Sequence, residues 1–274
     1  MNEHEVYPGA PVVLVALEVR HTQSEPLTTA ERRAVKAELA KVAPVMKLAQ
    51  FGTMQVNPAN LAQAATTTVE EFPRYLSRDS TLIISMRSTS MTVESTLYKG
   101  WDHFRSVIRM ALDARRGVSP VDGVERVGIR YVNEIRAPED VGIDWTEWTQ
   151  ATLQAPKVQE EYPIDLPLAL WQGLVVYGRQ PGRAVLMRYG PQIGHAVQTD
   201  QTDIRFKSTR SGEFFLVDLD SYWVPEEGVP EFDPDVLERT CDALHGPVRS
   251  LFEGSVPNRY REEVLSRDSV VPTA

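Results

Sequence analysis

The chain has 274 residues and a single cysteine, Cys241, so it forms neither an internal disulfide nor a metal site built from several cysteines. Its histidines lack the His-x-x-x-His and His-Glu-x-x-His spacings of helical zinc sites. Gly-rich phosphate loops and the G-x-S-x-G nucleophile elbow are also missing. These absences argue against disulfide scaffolds, helical zinc sites, phosphate-loop proteins and serine hydrolases.

Long apolar runs are missing too. None approaches the ~20 residues that a membrane-spanning helix needs. Residues 1–10 are polar and acidic, and they lack the basic and apolar regions of a secretory signal peptide. With a lone cysteine, which agrees with a reducing compartment, this predicts a cytoplasmic protein.

Positive charge is in deficit: 29 Lys and Arg face 38 Asp and Glu, a net charge of −9. This balance argues against non-specific nucleic-acid binding, which depends on neutralising phosphates, although it leaves room for a local basic patch. Hydrophobic content of 42% is ordinary for a globular protein that buries a sizeable core.

The sequence does contain a motif that occurs twice in similar form. Residues 126–136 read Arg-Val-Gly-Ile-Arg-Tyr-Val-Asn-Glu-Ile-Arg, and residues 12–20 read Val-Val-Leu-Val-Ala-Leu-Glu-Val-Arg. Both runs are typical of strands, and both end in Glu, a β-branched residue and Arg. A helix-like stretch follows each run, which predicts a chain built of two similar halves.

The remaining patterns extend this prediction to an α+β fold in which each half has a strand, a helix, antiparallel strands and a long helix. The expected halves are residues 1–120 and 121–274, packed tightly enough that they could form one domain. In the first half we expect strands at Val12–Arg20, Met46–Val56, Thr81–Met86 and Thr92–Tyr98. Helices are expected from Thr28 to about Ala43 and at Trp101–Arg116. Between these elements we expect a turn at Asn57–Asn60 and a weakly ordered connection at Ala64–Val69. In the second half we expect strands at Arg126–Arg136, Leu168–Tyr177, Ala184–Tyr189 and Glu213–Trp223. Residues Ile204–Lys207 are expected to pair with the last of these strands. We also expect a short helix at Trp145–Leu153 and a closing helix that begins at Asp233 and is kinked at Gly246-Pro247.

The run Arg126–Asn133 resembles the central motif of a sporadically distributed family of uncharacterised bacterial proteins. Other matching blocks are Glu18-Val19-Arg20, the aromatic helix entry of Tyr98, Trp101 and Phe104, the late strand Phe215–Asp220, Leu244-His245 and Phe252. Gly246-Pro247 departs from the family pattern. The family brings no established activity, so the resemblance implies a construction and not a reaction.

Charged residues on two predicted strands form the candidate binding site. Arg126, Arg130, Glu134 and Arg136 share one strand face, and Asp218 and Asp220 share a face of the late strand. If the two strands are close, cross-strand ion pairs follow; otherwise the arginines are available to grip an anionic ligand or an acidic segment. For the aspartates, the wet face of a half-exposed sheet is the plainer interpretation, and a divalent-cation site is the alternative.

Other residues are expected to have structural roles. Tyr131 lies on the apolar face with Asn133, whose amide needs partners if it is buried. Trp101 and Phe104 open the mid-chain helix. We expect His4, His21, His103, His195 and His245 to lie at the surface or to cap elements, and Cys241 to be a small buried hydrophobe. A Cys241–His245 nucleophilic pair is formally open but has no supporting oxyanion signal.

The sequence therefore favours a non-catalytic binding protein without a cofactor. Its partner would be a protein or a small anionic ligand. Because this chain is acidic, a protein partner with a basic surface would suit it. Patchy distribution, as in the resembled family, is typical of phage-defence, immunity and antitoxin components. One alternative is a metal-dependent hydrolase or nuclease that uses Asp218, Asp220 and Glu134. Another is a homo-oligomeric scaffold that pairs through a sheet edge.

Overall fold

The computed structural model describes residues 7, 9–55, 66–137, 143–157, 162, 165–166, 168, 170–197, 203–206 and 211–266. Within these ranges the chain forms one antiparallel sheet of nine strands, in the spatial order β2-β3-β4-β5-β1-β6-β9-β8-β7. The strands are β1 Val12–His21, β2 Val45–Gln55, β3 Thr66–Leu76, β4 Leu82–Met86, β5 Ser90–Ser95, β6 Val124–Ile135, β7 Gly173–Gly178, β8 Gly182–Ile193 and β9 Glu213–Val224. The helices are α1 Thr29–Glu38, α2 Trp101–Arg116, α3 Trp145–Trp148, α4 Pro234–Ser255 and α5 Asn258–Tyr260, with short helical turns at Ala151–Leu153 and Arg261–Leu265.

The predicted mixed α+β class is confirmed, with the sheet as the dominant element. The two motif strands, β1 and β6, pair antiparallel at its centre, with Leu17 opposite Ile129. In each half the opening strand also pairs with the last strand of that half, β1 with β5 and β6 with β9. The strand order is therefore similar in the two halves, and their common origin stays a prediction.

Successive side chains of the central strands point to opposite faces of the sheet. Leu17, Ile129, Val217 and Leu219 are fully buried in the main core, which also contains residues of α1, α2 and α4. We call this the helix face. The opposite face carries the charged residues of the central strands, and we call it the open face.

Local signals begin the helices where the sequence predicts. Thr28 and Glu31 form a capping box at α1, in which the Thr28 backbone N–H donates to the Glu31 carboxylate over 2.8 Å. Asp233 caps α4 by accepting from the Asp235 backbone N–H at 2.8 Å, and Pro234 occupies the first turn. The α4 helix runs on through Pro247 without ending there.

Several predicted elements need correction. Thr66–Val69 belongs to strand β3, which continues to Leu76. This strand pairs with β2 along its length and with β4 at its last three residues. These sheet partners outweigh the local effect of Pro73 and its acidic neighbours. Helix α1 ends at Glu38, before Ala43. Strand β7 begins at Gly173 and not at 168.

The prediction that residues 204–207 pair with β9 is wrong over the described residues 204–206, since β9 pairs with β6 and β8. Ile204 and Phe206 instead pack on Leu76 and Ile83. The turn predicted at 57–60 and the histidine at position 4 lie outside the described residues. Within the described ranges, no helix combines the length and apolar character needed to cross a membrane.

Candidate functional site

The open face brings the predicted Arg130 and Asp218 together. The Arg130 guanidinium donates two hydrogen bonds to the Asp218 carboxylate, at 2.7 and 2.8 Å, and Arg188 on β8 adds a third at 3.3 Å. Asp218 is only 3% exposed, so it is not on a wet face as expected. Its hydrogen bonds raise the pKa of Arg130, which keeps that guanidinium charged. Two half-exposed arginines therefore compensate one buried carboxylate.

Arg126 forms a second cluster on the same face. It donates to Glu18 at 2.9 Å, lies 3.4 Å from an oxygen of Asp220, and stacks over the Tyr222 ring at 4.8 Å. Gly128 makes room for it, because a Cβ there would lie 2.6 Å from the Arg126 Nη1 atom. Burial raises the pKa of Asp220, and the nearby arginines oppose that rise.

Glu134 and Arg136 hold the chain that follows β8. Arg136 donates to Glu134 at 2.6 Å and to the Gly194 carbonyl at 2.9 Å. The other Glu134 oxygen accepts from the Ala196 backbone N–H at 2.7 Å. Both side chains are largely buried, so this pair positions a loop and is poorly placed to grip a ligand.

The metal-site alternative gains no support from this geometry. Asp218 and Asp220 already interact with guanidinium groups, and Glu134 holds a loop. Among the described residues, no group of three or more His, Cys, Asp or Glu side chains is arranged to hold a metal ion. The open face is mainly a charge-compensated network.

A cavity of about 1000 Å³ lies beside the N-terminus of α2, the middle of α4 and the residues that precede and begin β1. We call it the aromatic cavity, because its lining includes Tyr7, Tyr98, Trp101, Tyr131, His245 and Phe252. Tyr131 points away from the open face, since residues of opposite parity on β6 carry the arginines. The cavity is therefore on the helix face.

Ring contacts and hydrogen bonds fix the wall of this cavity. Trp101 and His245 stack in parallel, with ring centroids 4.2 Å apart and planes 6° apart. The Trp101 indole N–H donates to Asp242 at 3.0 Å, and the Tyr131 hydroxyl lies 3.1 Å from Nδ1 of His245. Tyr98 meets Tyr131 edge-on at 5.5 Å. These contacts hold the rings in place without a ligand.

Burial favours the neutral forms of two polar rings in this wall. Burial lowers the pKa of His245 to about 4, and the positive charge of Arg249 contributes to that shift. Burial also raises the pKa of Tyr131 well above its ordinary value. His245 and Tyr131 therefore offer neutral donors and acceptors.

Asn133 also lines the cavity and is 2% exposed. Its Nδ2 donates to the Val217 carbonyl of the neighbouring strand at 2.9 Å, which fixes the amide. Among the described residues no hydrogen bond engages its Oδ1. Asn133 thus contributes an oriented carbonyl oxygen on the same strand face as Tyr131, roughly 7 Å along β6.

Three residues of this cavity were singled out from the sequence, but the cavity itself was not predicted. Trp101, Tyr131 and Asn133 were expected to be structural, and the fold brings all three to one wall. Phe104 is 2% exposed and packs beside Trp101. His245, which was expected to lie at the surface or to cap an element, is partly buried and stacks on Trp101. The signal for this contact was its position four residues after Cys241, on the side of α4 that carries the apolar stripe.

The expectation of a surface or capping role is wrong for His21, which is 1% exposed. Cys241 is fully buried, as expected, and burial raises its pKa far above its ordinary value. A thiol in that state is a poor nucleophile.

No family model matches the chain, and a search of curated proteins finds no similar sequence.

Proposed function

We propose that this chain is a non-catalytic binding protein and that the aromatic cavity is its ligand site. The observation that carries the proposal is the fixed wall of Trp101, His245 and Tyr131 beside the oriented amide of Asn133. Ligand sites are typically concave and mostly apolar, with a few convergent polar groups. The cavity has this composition and a volume in the range of sites for small molecules.

Catalysis is a weaker interpretation of the same residues. A nucleophile needs a base within hydrogen-bond reach and a way to become ionised. The Cys241 thiol is fully buried with a strongly raised pKa, and one ring nitrogen of His245 is already engaged by Tyr131. The residues therefore support recognition of a ligand more than its transformation.

A substitution that fills the cavity tests the proposal. Gly246 lines the cavity, and a Cβ added there meets no atom within 4 Å, so Gly246→Phe introduces a large side chain at the lining without a clash at Cβ. Gly254→Phe is the matched control, because Gly254 lies in the same helix, has equally open space and does not line the cavity. Binding would be screened by thermal shift against sets of neutral, anionic and cationic small aromatic compounds.

We expect at least one compound set to raise the melting temperature of the native protein and of Gly254→Phe, but not that of Gly246→Phe. Stabilisation that is equal in all three proteins would place the ligand elsewhere. No stabilisation of the native protein by any set would remove the proposal.

A second candidate function is a homo-oligomeric scaffold, and the edge strand β7 favours it. Among the described residues, this strand pairs with β8 alone, and Leu174, Val176 and Tyr177 are between 47% and 64% exposed. Residues 170–178 contain no charge and no proline, the usual protections of an edge strand. An uncharged apolar strand matches itself in antiparallel pairing about a two-fold axis, so the occupant proposed is β7 of a second copy.

Val176→Lys tests this candidate, with Leu48→Lys on the opposite edge strand β2 as its control. The native protein and Leu48→Lys should be dimers by light scattering, and Val176→Lys a folded monomer. A native protein that stays monomeric at every concentration would refute the pairing.

A further inference from the structure

We propose that the aromatic cavity recognises a planar nitrogen heterocycle that carries an amino donor, which is the chemistry of a nucleobase such as adenine. The inference rests on the proposed function of the cavity and adds the class of ligand. It follows from three properties of the lining, which are its rings, its acceptors and its charge.

The rings select a flat ligand. Tyr98, Tyr131 and the Trp101–His245 stack are held by contacts among themselves, so little ordering of side chains is needed when a ligand arrives. Aromatic side chains bind heterocyclic bases by stacking, at about 1–3 kcal/mol for each base in single-strand binding proteins. Phe252 and Tyr7 add further aromatic surface to the lining.

The acceptors select a ligand with an N–H donor. The Asn133 amide is anchored through its nitrogen, which leaves its oxygen as the group that meets a ligand. That oxygen can accept a hydrogen bond from the amino group of an adenine edge. His245 uses Nδ1 to contact Tyr131, so Nε2 is the nitrogen left to pair with a second edge atom.

The charges disfavour a phosphorylated ligand. The lining includes the carboxylates Asp102, Asp242 and Glu253 against the cations Lys99 and Arg249. Arg249 also pairs with Glu253 at 2.9 Å, and Asp242 accepts from the Trp101 indole. Because acids outnumber bases, a free base or a nucleoside is expected to bind better than a nucleotide.

The experiment is calorimetric titration of the full chain with adenine, purine, adenosine and adenosine monophosphate. Adenine and purine share the ring system, and purine lacks the amino group. We expect adenine to bind at least tenfold more tightly than purine, and adenosine at least tenfold more tightly than its monophosphate. These comparisons use the native protein alone, so they do not depend on any variant folding.

Two variants locate the binding. Asn133→Leu removes the acceptor at nearly constant volume, and His245→Phe keeps a ring on Trp101 but removes both ring nitrogens. Each should weaken adenine at least tenfold, whereas Gly254→Phe should leave it unchanged.

Purine binding as tightly as adenine, or adenine affinity that survives in both Asn133→Leu and His245→Phe, would overturn the assignment. Absence of saturable adenine binding would do so as well. A different outcome is that adenine does not bind while another compound binds the native protein and loses affinity in Gly246→Phe. In that case the proposed class of ligand is wrong, and the cavity remains a ligand site. If nothing binds, both proposals fall together.

Discussion

Arg130 and Asp218 form a bidentate salt bridge between residues that are not directly opposite each other on their paired strands. Arg130 lies opposite Asp220, yet both of its hydrogen bonds, at 2.7 and 2.8 Å, go to Asp218 two residues away. The position opposite Asp218 on β6 is held by Val132, which has no polar group to offer. The diagonal salt bridge from Arg130 therefore compensates the buried Asp218 carboxylate, which Val132, its direct neighbour on β6, cannot do.

We expect Arg130→Met to destabilise the fold by about 1–3 kcal/mol, because it leaves a buried carboxylate with Arg188 alone. Arg20→Met is the matched control, since Arg20 is 56% exposed and pairs with a partly exposed Glu18. Its cost should lie within about 0.5 kcal/mol of zero. Urea unfolding measures both, and equal costs would show that the Asp218 pair adds little.

Gly128→Ala tests the space that Arg126 occupies. The new Cβ would lie 2.6 Å from Nη1, so the guanidinium must shift, and we expect its weakened contacts with Glu18 and Asp220 to cost about 1 kcal/mol. In an Arg126→Met background the same substitution should be neutral or slightly stabilising, because glycine is entropically costly in a strand. A double-mutant cycle measures the difference, and additive effects would contradict the explanation.

Acid should destabilise the fold through His21 and His245, which have lowered pKa values. Burial lowers the pKa of His21 and of His245 to about 4, from 6.5 when unfolded. Between these values the unfolded chain binds protons that the folded chain does not, so stability is fully present above pH 6.5 and falls as the pH drops toward 4.

Each histidine should contribute on the order of 1–2 kcal/mol to the loss at about pH 5. Denaturant titrations between about pH 7 and pH 5 stay above the range where carboxylates protonate in bulk. His245→Phe should reduce the slope of stability against pH in this interval. A flat profile for the native protein would contradict the assignment of neutral buried histidines.

Cys241 should be inert in the native state, because it is fully buried and burial raises its pKa. A thiol reagent such as iodoacetamide should label it at neutral pH only after the chain is unfolded in denaturant. Rapid stoichiometric labelling of the native protein would reopen the nucleophilic interpretation.

Local chemistry explains which elements could be predicted. The mid-chain helix Trp101–Arg116 has the bounds that its apolar spacing and Gly117 indicate. Strand β3 was missed because Pro73 and two glutamates hide its alternation, and pairing with β2 and β4 decides its conformation. The predicted cross-strand ion pairs between Arg126–Arg136 and the late strand are present, because these two strands are neighbours.

The aromatic cavity was beyond sequence reasoning, although its residues were noticed. Trp101 and His245 lie far apart in the sequence, and no periodicity indicates that their rings stack. The same holds for Tyr131, whose hydroxyl meets a histidine of α4. Proximity of this kind depends on how α2 and α4 pack over β6.

Composition and short-range spacing were enough to predict most strands and helices, the buried faces of the central strands and the burial of the lone cysteine. The burial of Asp218 and the charge compensation on the open face follow from the tertiary structure alone. The tertiary structure also decided that neutral polar groups gather on the helix face around a cavity. Such groupings depend on long-range pairing and helix packing, and no local pattern encodes them.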